Sequence, residues 1–123
     1  MEQRNVNRRA VGASYEKLAG DYLRQQGYEI LACNFRCRQG EIDIVAKEKG
    51  TLVFVEVKYR SSMAKGSPLE AVDAKKQRVI SKTAAYYCYR YGYGENYPCR
   101  FDVVAVCGNE IVLVKNAFEY QGW

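Results

Sequence analysis

Residues 40–60, GEIDIVAKEKGTLVFVEVKYR, contain two apolar runs joined by a short KEKG turn. Period-two alternation around a glycine-bearing turn predicts an antiparallel hairpin, with strands from Glu41 to about Lys47 and from Thr51 to about Arg60. In the second strand Leu52, Phe54, Glu56 and Lys58 share one face, and Val53, Val55, Val57 and Tyr59 share the other. Both faces begin apolar, so this strand belongs at the centre of a sheet covered on both sides. The Leu52 face then turns charged toward its C-terminal end, where it leaves the core for a pocket. On the first strand Glu41, Asp43 and Val45 share a face. Antiparallel pairing brings Asp43 beside Glu56 and Lys58, on strands about 4.8 Å apart. Charges in such a place cost free energy unless they are paired, solvated or bound to a metal.

The flanking sequence completes the order αβββαββ. From Ala10 to Gln26 the residues Val11, Tyr15, Leu18, Ala19, Tyr22 and Leu23 form one helical stripe, and Gly27 stops it. Glu16 lies on the shoulder of that stripe, placed either to lean over the edge of the sheet or to pair with a helical neighbour. Tyr28 to Arg36 reads as the first strand. Ser67-Pro68-Leu69-Glu70 combines a cap, a first-turn proline and an acid, and predicts a second helix from there to about Tyr91. Leu69, Val72, Ile80, Thr83 and Tyr87 form its buried stripe, with Lys76 in the middle and Gln77 on the flank. Tyr86, Tyr87, Tyr89, Tyr91, Tyr93 and Tyr97 crowd its end around Arg90, a pattern that serves packing or the stacking of bases. Arg100 to Cys107 and Glu110 to Lys115 read as the last strands. The expected fold is α/β, a mixed central sheet flanked by helices. Residues 1–9 form a basic arm and 10–123 a single domain.

The 123-residue chain has no histidine. That excludes Ser-His-Asp and Cys-His catalysis and His-ligated metals, leaving carboxylates, Lys, Tyr, Cys or a metal-bound water for acid–base work. The five cysteines form no repeated framework and read as reduced thiols of a cytoplasmic protein; Cys33 and Cys37 have no matching second pair for zinc. No run nears the roughly 18 apolar residues that span a membrane, and the polar, basic start is not a secretory signal. The net charge of +5 leans toward a polyanionic partner.

Two readings of Asp43, Glu56 and Lys58 follow. In one, Lys58 neutralises a carboxylate in an ion-pair cluster. In the other, Asp43, Glu56 and the Val57 carbonyl hold Mg²⁺ or Mn²⁺, with Lys58 beside a bound water. Asp43 followed by Glu56-Val57-Lys58 resembles the signature of the PD-(D/E)xK nucleases, with Ile42 in place of the proline. The whole chain is more closely similar to the YraN-type bacterial family, thought related to archaeal Holliday-junction resolvases. The shared motifs are G-x-x-x-E at Gly12–Glu16, Gly27-Tyr28, N-x-R at Asn34–Arg36, GEIDIV at Gly40–Val45, FVEVK-x-R at Phe54–Arg60, Lys76-Gln77 and RFDVV at Arg100–Val104. The resemblance implies a restriction-endonuclease-like fold and metal-dependent hydrolysis of DNA, branched or single-stranded DNA included. It also implies a possible homodimer, as in the resolvases. Asp43 and Glu56 would bind metal and Lys58 activate water. Glu16 would reach in from the first helix, and Gln77 or Lys76 from the second. A catalytically inactive nucleic-acid-binding protein of the same fold is the alternative. Arg8, Arg9, Arg60, Lys65, Lys75, Lys76 and Arg78 are the expected phosphate-contacting rim.

Overall fold

The hairpin forms where the alternation places it. In the computed structural model the described residues are 15–60 and 72–121, so the basic arm, Arg8, Arg9 and Lys65 lie outside them. Helix α1 covers residues 15–25. It is followed by β1 (Glu29–Cys37), β2 (Gly40–Glu48), β3 (Thr51–Tyr59), α2 (Ala74–Arg90), β4 (Cys99–Cys107) and β5 (Glu110–Phe118). The strands lie in sequence order, β1-β2-β3-β4-β5, all antiparallel except the β3–β4 pair. This is the mixed α/β sheet and the order αβββαββ expected from the sequence.

The β2–β3 turn is tighter than KEKG suggested. Lys47 and Glu48 remain in the strand, and Lys49 (φ 50°) and Gly50 (φ 81°) alone make the turn. Positive φ at both central residues is the hairpin geometry whose twist matches the strands, and glycine at the second takes it without strain. The second helix also differs from expectation. Residues 61–71 lie outside the described ones, but Val72 and Asp73 are not helical, so the helix bearing Ile80, Thr83 and Tyr87 starts at Ala74 rather than Leu69. Asp73 caps it, accepting the Lys76 N–H at 2.8 Å and satisfying a donor the first turn leaves unpaired.

The two faces of β3 separate two packed layers. Leu52 and Phe54 pack with Ile42, Val45, Phe101 and Val103 beneath Ile80, Ala84 and Tyr87 of α2. Val53 and Val55 pack with Ile44, Ala46, Val104 and Val106 against Ala19 and Leu23 of α1. A β-carbon on Gly40 would stand 2.6 Å from Val79 Cγ1 and 3.0 Å from Thr83 Oγ1, so only glycine lets α2 lie this close to β2. Most of the tyrosine cluster is helix-end packing: Tyr87 is buried, with ring centroids 4.6 Å from Tyr91 and 5.8 Å from Phe54.

On the α1 face, running from the start of β3 to beside Val55, lies a polar network. Asp102 is 0% exposed. It accepts from Tyr28 Oη at 2.7 Å, from Arg100 Nε and Nη2 both at 2.9 Å, and from the Asn116 N–H at 2.9 Å. Arg100 Nη2 also meets Glu48 at 2.7 Å, and Lys115 Nζ meets the other Glu48 oxygen at 2.7 Å. Each carboxylate is thus compensated by cations and hydrogen bonds, as buried charge requires. The network ties β2, β4 and β5 to Tyr28, the residue just before β1.

Candidate active site

The β2–β3 ladder ends at Ile44↔Val55, while β2 stays paired with β1 down to Gly40. Asp43 stands where the two strands part. Strict alternation also slips there, for Ile42 and Val45 reach the same core layer. Asp43 Oδ2 accepts the Val57 N–H at 2.8 Å, replacing the strand partner that the ladder no longer supplies. In an antiparallel pair a residue's N–H and C=O face the same neighbour, so the Val57 carbonyl also turns toward the Asp43 side.

Glu56, 6% exposed, lies beside Asp43 at the carboxyl end of β3. Its Oε2 is 3.2 Å from Lys58 Nζ, one pleat further along, and 3.4 Å from Lys76 Nζ, delivered by the first turn of α2. Burial first, and then the Glu56 charge, push the Asp43 carboxyl up to about 7; the Val57 hydrogen bond pulls the other way, and Glu16 adds repulsion. Glu16 therefore does lean toward the site from α1. Its Oε1 accepts from Asn34 Nδ2 at 3.1 Å, and Tyr15 stacks on Tyr59 at 4.3 Å, holding this turn of α1 against the end of β3.

The structure thus gathers Asp43, Glu56, Lys58 and Lys76, with Glu16 held by Asn34 at the α1 border of the group. Gln77 is committed elsewhere, its Nε2 donating to the Val72 carbonyl at 2.9 Å and fixing the approach to α2. Lys75 and Arg78 are exposed near the start of α2, and Arg60 follows β3, its N–H bonded to the Val106 carbonyl at 2.8 Å. Sequence reasoning missed Asn34 as a site residue. Its left-handed φ of 55° inside β1 is a conformation asparagine tolerates better than most residues. A larger cavity of 780 Å³ opens among Phe54, Cys88, Tyr93, Tyr97, Phe101 and Phe118 and contains none of the predicted site residues.

A hard divalent cation tests this arrangement. Among the described residues no three Asp, Glu, Cys or His side chains gather to hold a metal, and all five cysteines are free thiols. Two carboxylates and one carbonyl remain as the donor set. That is enough for Mg²⁺, which keeps several waters and takes only one or two carboxylates from protein. The mutual repulsion of Asp43 and Glu56 is the kind that such a cation would relieve.

A profile described as "Uncharacterised protein family UPF0102" matches residues 15–106. The chain belongs to UPF0102. This is the YraN-type grouping that its motif order resembles. A UPF0102 protein of Lachnoclostridium phytofermentans is 54% identical over 117 residues, covering 95% of this chain and 99% of its own. One from Caldicellulosiruptor saccharolyticus is 47% identical over 119 residues, covering 92% of this chain and 100% of its own. The UPF0102 match takes in all the described elements from α1 into β4, hence every gathered site residue; β5 lies beyond it. Among the described residues no helix is long and apolar enough to cross a membrane.

Proposed function

We propose that this UPF0102 chain is a divalent-metal-dependent nuclease hydrolysing phosphodiester bonds in DNA. The observation that carries the reading is the pairing of Asp43 and Glu56 where β2 and β3 part, with the Asp43 carboxyl pushed up to about 7. Mg²⁺ or Mn²⁺, held by Asp43, Glu56 and the Val57 carbonyl, would supply charge for the phosphate and an acidified water. Asp43 gives up its proton to become a ligand, so metal affinity rises with pH through about 7. Lys58 and Lys76, which meet the same Glu56 oxygen, would be freed from it when a cation binds there; Lys58 would orient the water and Lys76 would neutralise phosphate charge. Glu16, fixed by Asn34, accepts a hydrogen bond from the water on the α1 side. The order of the PD-(D/E)xK-like motifs along the chain supports the same roles. Free thiols at all five cysteines favour a reducing, cytoplasmic setting.

The two lysines on Glu56 favour a second reading. Glu56 is already neutralised, and a basic protein with such a cluster would bind nucleic acid without cutting it. One experiment separates them. Labelled single-stranded, duplex, flapped and four-way DNA are incubated with the protein and Mg²⁺ or Mn²⁺, and thermal melting is followed beside it. Cleavage is expected, together with about 1.4 kcal/mol of stabilisation at metal tenfold above its dissociation constant. Both are expected to vanish in Asp43→Asn, while Lys58→Met keeps the metal-induced shift and loses cleavage. No cleavage of any substrate and no metal-induced shift would sink the nuclease reading.

A further inference from the structure

A second concavity begins where the candidate site ends. Asn34, whose amide holds Glu16, also lines a cavity of 490 Å³ between β1 and the C-terminal end of α2. Three guanidinium groups border it: Arg36 on β1, Arg38 in the β1–β2 turn, and Arg90 in the last turn of α2. Phe35, Tyr86 and Tyr91 supply its rings. Arg36 is partly occupied by Glu41 at 3.1 Å, whereas Arg38 is exposed with no acidic partner among the described residues. Arg90 lies 5.5 Å from the centroid of the Tyr91 ring, and Tyr86 stacks over Phe35 at 6.3 Å. Among the described residues no carboxylate lines the cavity.

Cations that bind phosphates, interleaved with ring faces that accept bases of any sequence, are the two elements of a single-strand nucleic-acid groove. A partner peptide strand is the competing occupant for a sheet edge, and β1 is an edge strand. Its edge is poorly suited to that use. The register slips between Ile30 and Ala32, and Asn34 turns left-handed, so the row of backbone donors and acceptors is broken twice within the strand. Recognition on this face therefore falls to side chains, and the side chains are arginine and tyrosine.

We propose that the β1–α2 groove, bounded by Arg36, Arg38, Arg90, Tyr86 and Tyr91, binds a single-stranded DNA flank and leads it past Asn34 to the site of Asp43 and Glu56. The inference rests on the nuclease reading for its direction and not for the binding itself. It names the substrate class as DNA with an unpaired strand next to the bond that is cut.

The test uses the full chain in EDTA, where binding is measured without hydrolysis. Fluorescein-labelled dT20 and a blunt duplex of equal length are titrated by anisotropy across a salt series. The expected result is preference for dT20. Arg38→Gln with Arg90→Gln should weaken dT20 binding roughly tenfold and lower the slope of log affinity against log salt by about 1.4, the value for two lost phosphate contacts. Arg24→Gln with Lys49→Gln, two exposed cations on α1 and in the β2–β3 turn that do not line the groove, should leave the preference for dT20 intact. Circular dichroism melting verifies that each double variant is folded, and Tyr86→Leu, which removes a ring face without removing charge, should weaken dT20 alone. Unchanged dT20 affinity in both the arginine pair and Tyr86→Leu, or equal losses on dT20 and duplex, overturns the groove. A variant-sensitive groove on a protein that cuts nothing upholds it and removes the nuclease reading; cleavage by a protein whose dT20 binding ignores these residues does the reverse.

Discussion

Two carboxylate clusters lie on this sheet, one alongside the first half of β3 and one at its carboxyl end, and they are built on opposite terms. Around Asp102 and Glu48, the described oxygens meet Arg100, Lys115, Tyr28 or a backbone N–H at 2.7–2.9 Å. The Lys115 contact, reinforced by Arg100, holds the Glu48 carboxyl below its ordinary range, and burial together with Asp102 pushes the Tyr28 phenol up. Around Asp43 and Glu56 the carboxylates face each other; Lys58 and Lys76 meet Glu56 at 3.2 and 3.4 Å, whereas among the described residues Asp43 has only the Val57 N–H and rises to about 7. A charge kept in its favoured ionisation state stabilises a fold; a charge driven away from it is a cost that structure alone does not recover. The first cluster is a joint between strands. The second is a site that a cation or a substrate would complete.

The comparison breaks most visibly at Arg100. Changing it to Met leaves Asp102 buried beside a neutral side chain, and should destabilise the protein by about 3–5 kcal/mol in urea unfolding at neutral pH. A loss below about 1 kcal/mol would show that the network is no joint.

Asp43→Asn should act in the other direction. Between about pH 4 and pH 7 the native Asp43 keeps a proton that the unfolded chain has released, so its contribution makes stability fall as pH rises through that window. The amide can still accept the Val57 N–H and carries no charge to repel Glu56. The variant should therefore gain roughly 1–3 kcal/mol over the natural protein at pH 8, with the gain fading toward pH 4. Glu48 has the opposite sign, its contribution present at neutral pH and lost as acid protonates it below the ordinary carboxylate range. Urea midpoints measured from about pH 2 to pH 8 check both, and a destabilised Asp43→Asn at pH 8 would make the second cluster a joint like the first.

The smallest effect sharpens the contrast. Tyr28→Phe removes one of several donors to Asp102 and leaves the ring in place. It should cost about 1–2 kcal/mol, since the remaining donors still hold the charge. Thermal melting measures it, and a cost as large as that of Arg100→Met would mean that the phenol, not the guanidinium, carries the network.

How far these clusters can be read without coordinates differs for the same reason. Asp43, Glu56 and Lys58 lie on one hairpin, where a two-residue turn fixes the register and alternation fixes the faces of β3; the pattern therefore brought them near one another, although it missed the slip of alternation at Asp43. Lys76 was reachable as a cation on an apolar helical stripe. The Asp102 network joins residues from Tyr28 to Lys115, and no periodicity ties together partners so far apart; only an aspartate inside the apolar run RFDVV hinted at it. The start of α2 was misplaced because two segments carry capping chemistry, Ser67-Pro68 and Asp73, and which of them caps this helix is decided by tertiary packing rather than by the local signal. Asn34 was unread as a site residue because a left-handed turn within a strand leaves no trace in hydrophobic alternation.

The single parallel pairing in the sheet sets the order in which these parts can assemble. β1, β2 and β3 are joined by turns of two residues, and so are β4 and β5, so each group closes over short stretches of chain on the microsecond scale of hairpins. β3 and β4 meet only after a crossover of about 40 residues has been closed, a step with a larger entropic toll. Asp43, Glu56 and Lys58 belong wholly to the first group, whereas Lys76 arrives with the crossover and Arg100, Asp102 and Lys115 with the second group. The repelling carboxylates are thus brought together by the fast local events, and the contacts that hold the sheet around them are made last.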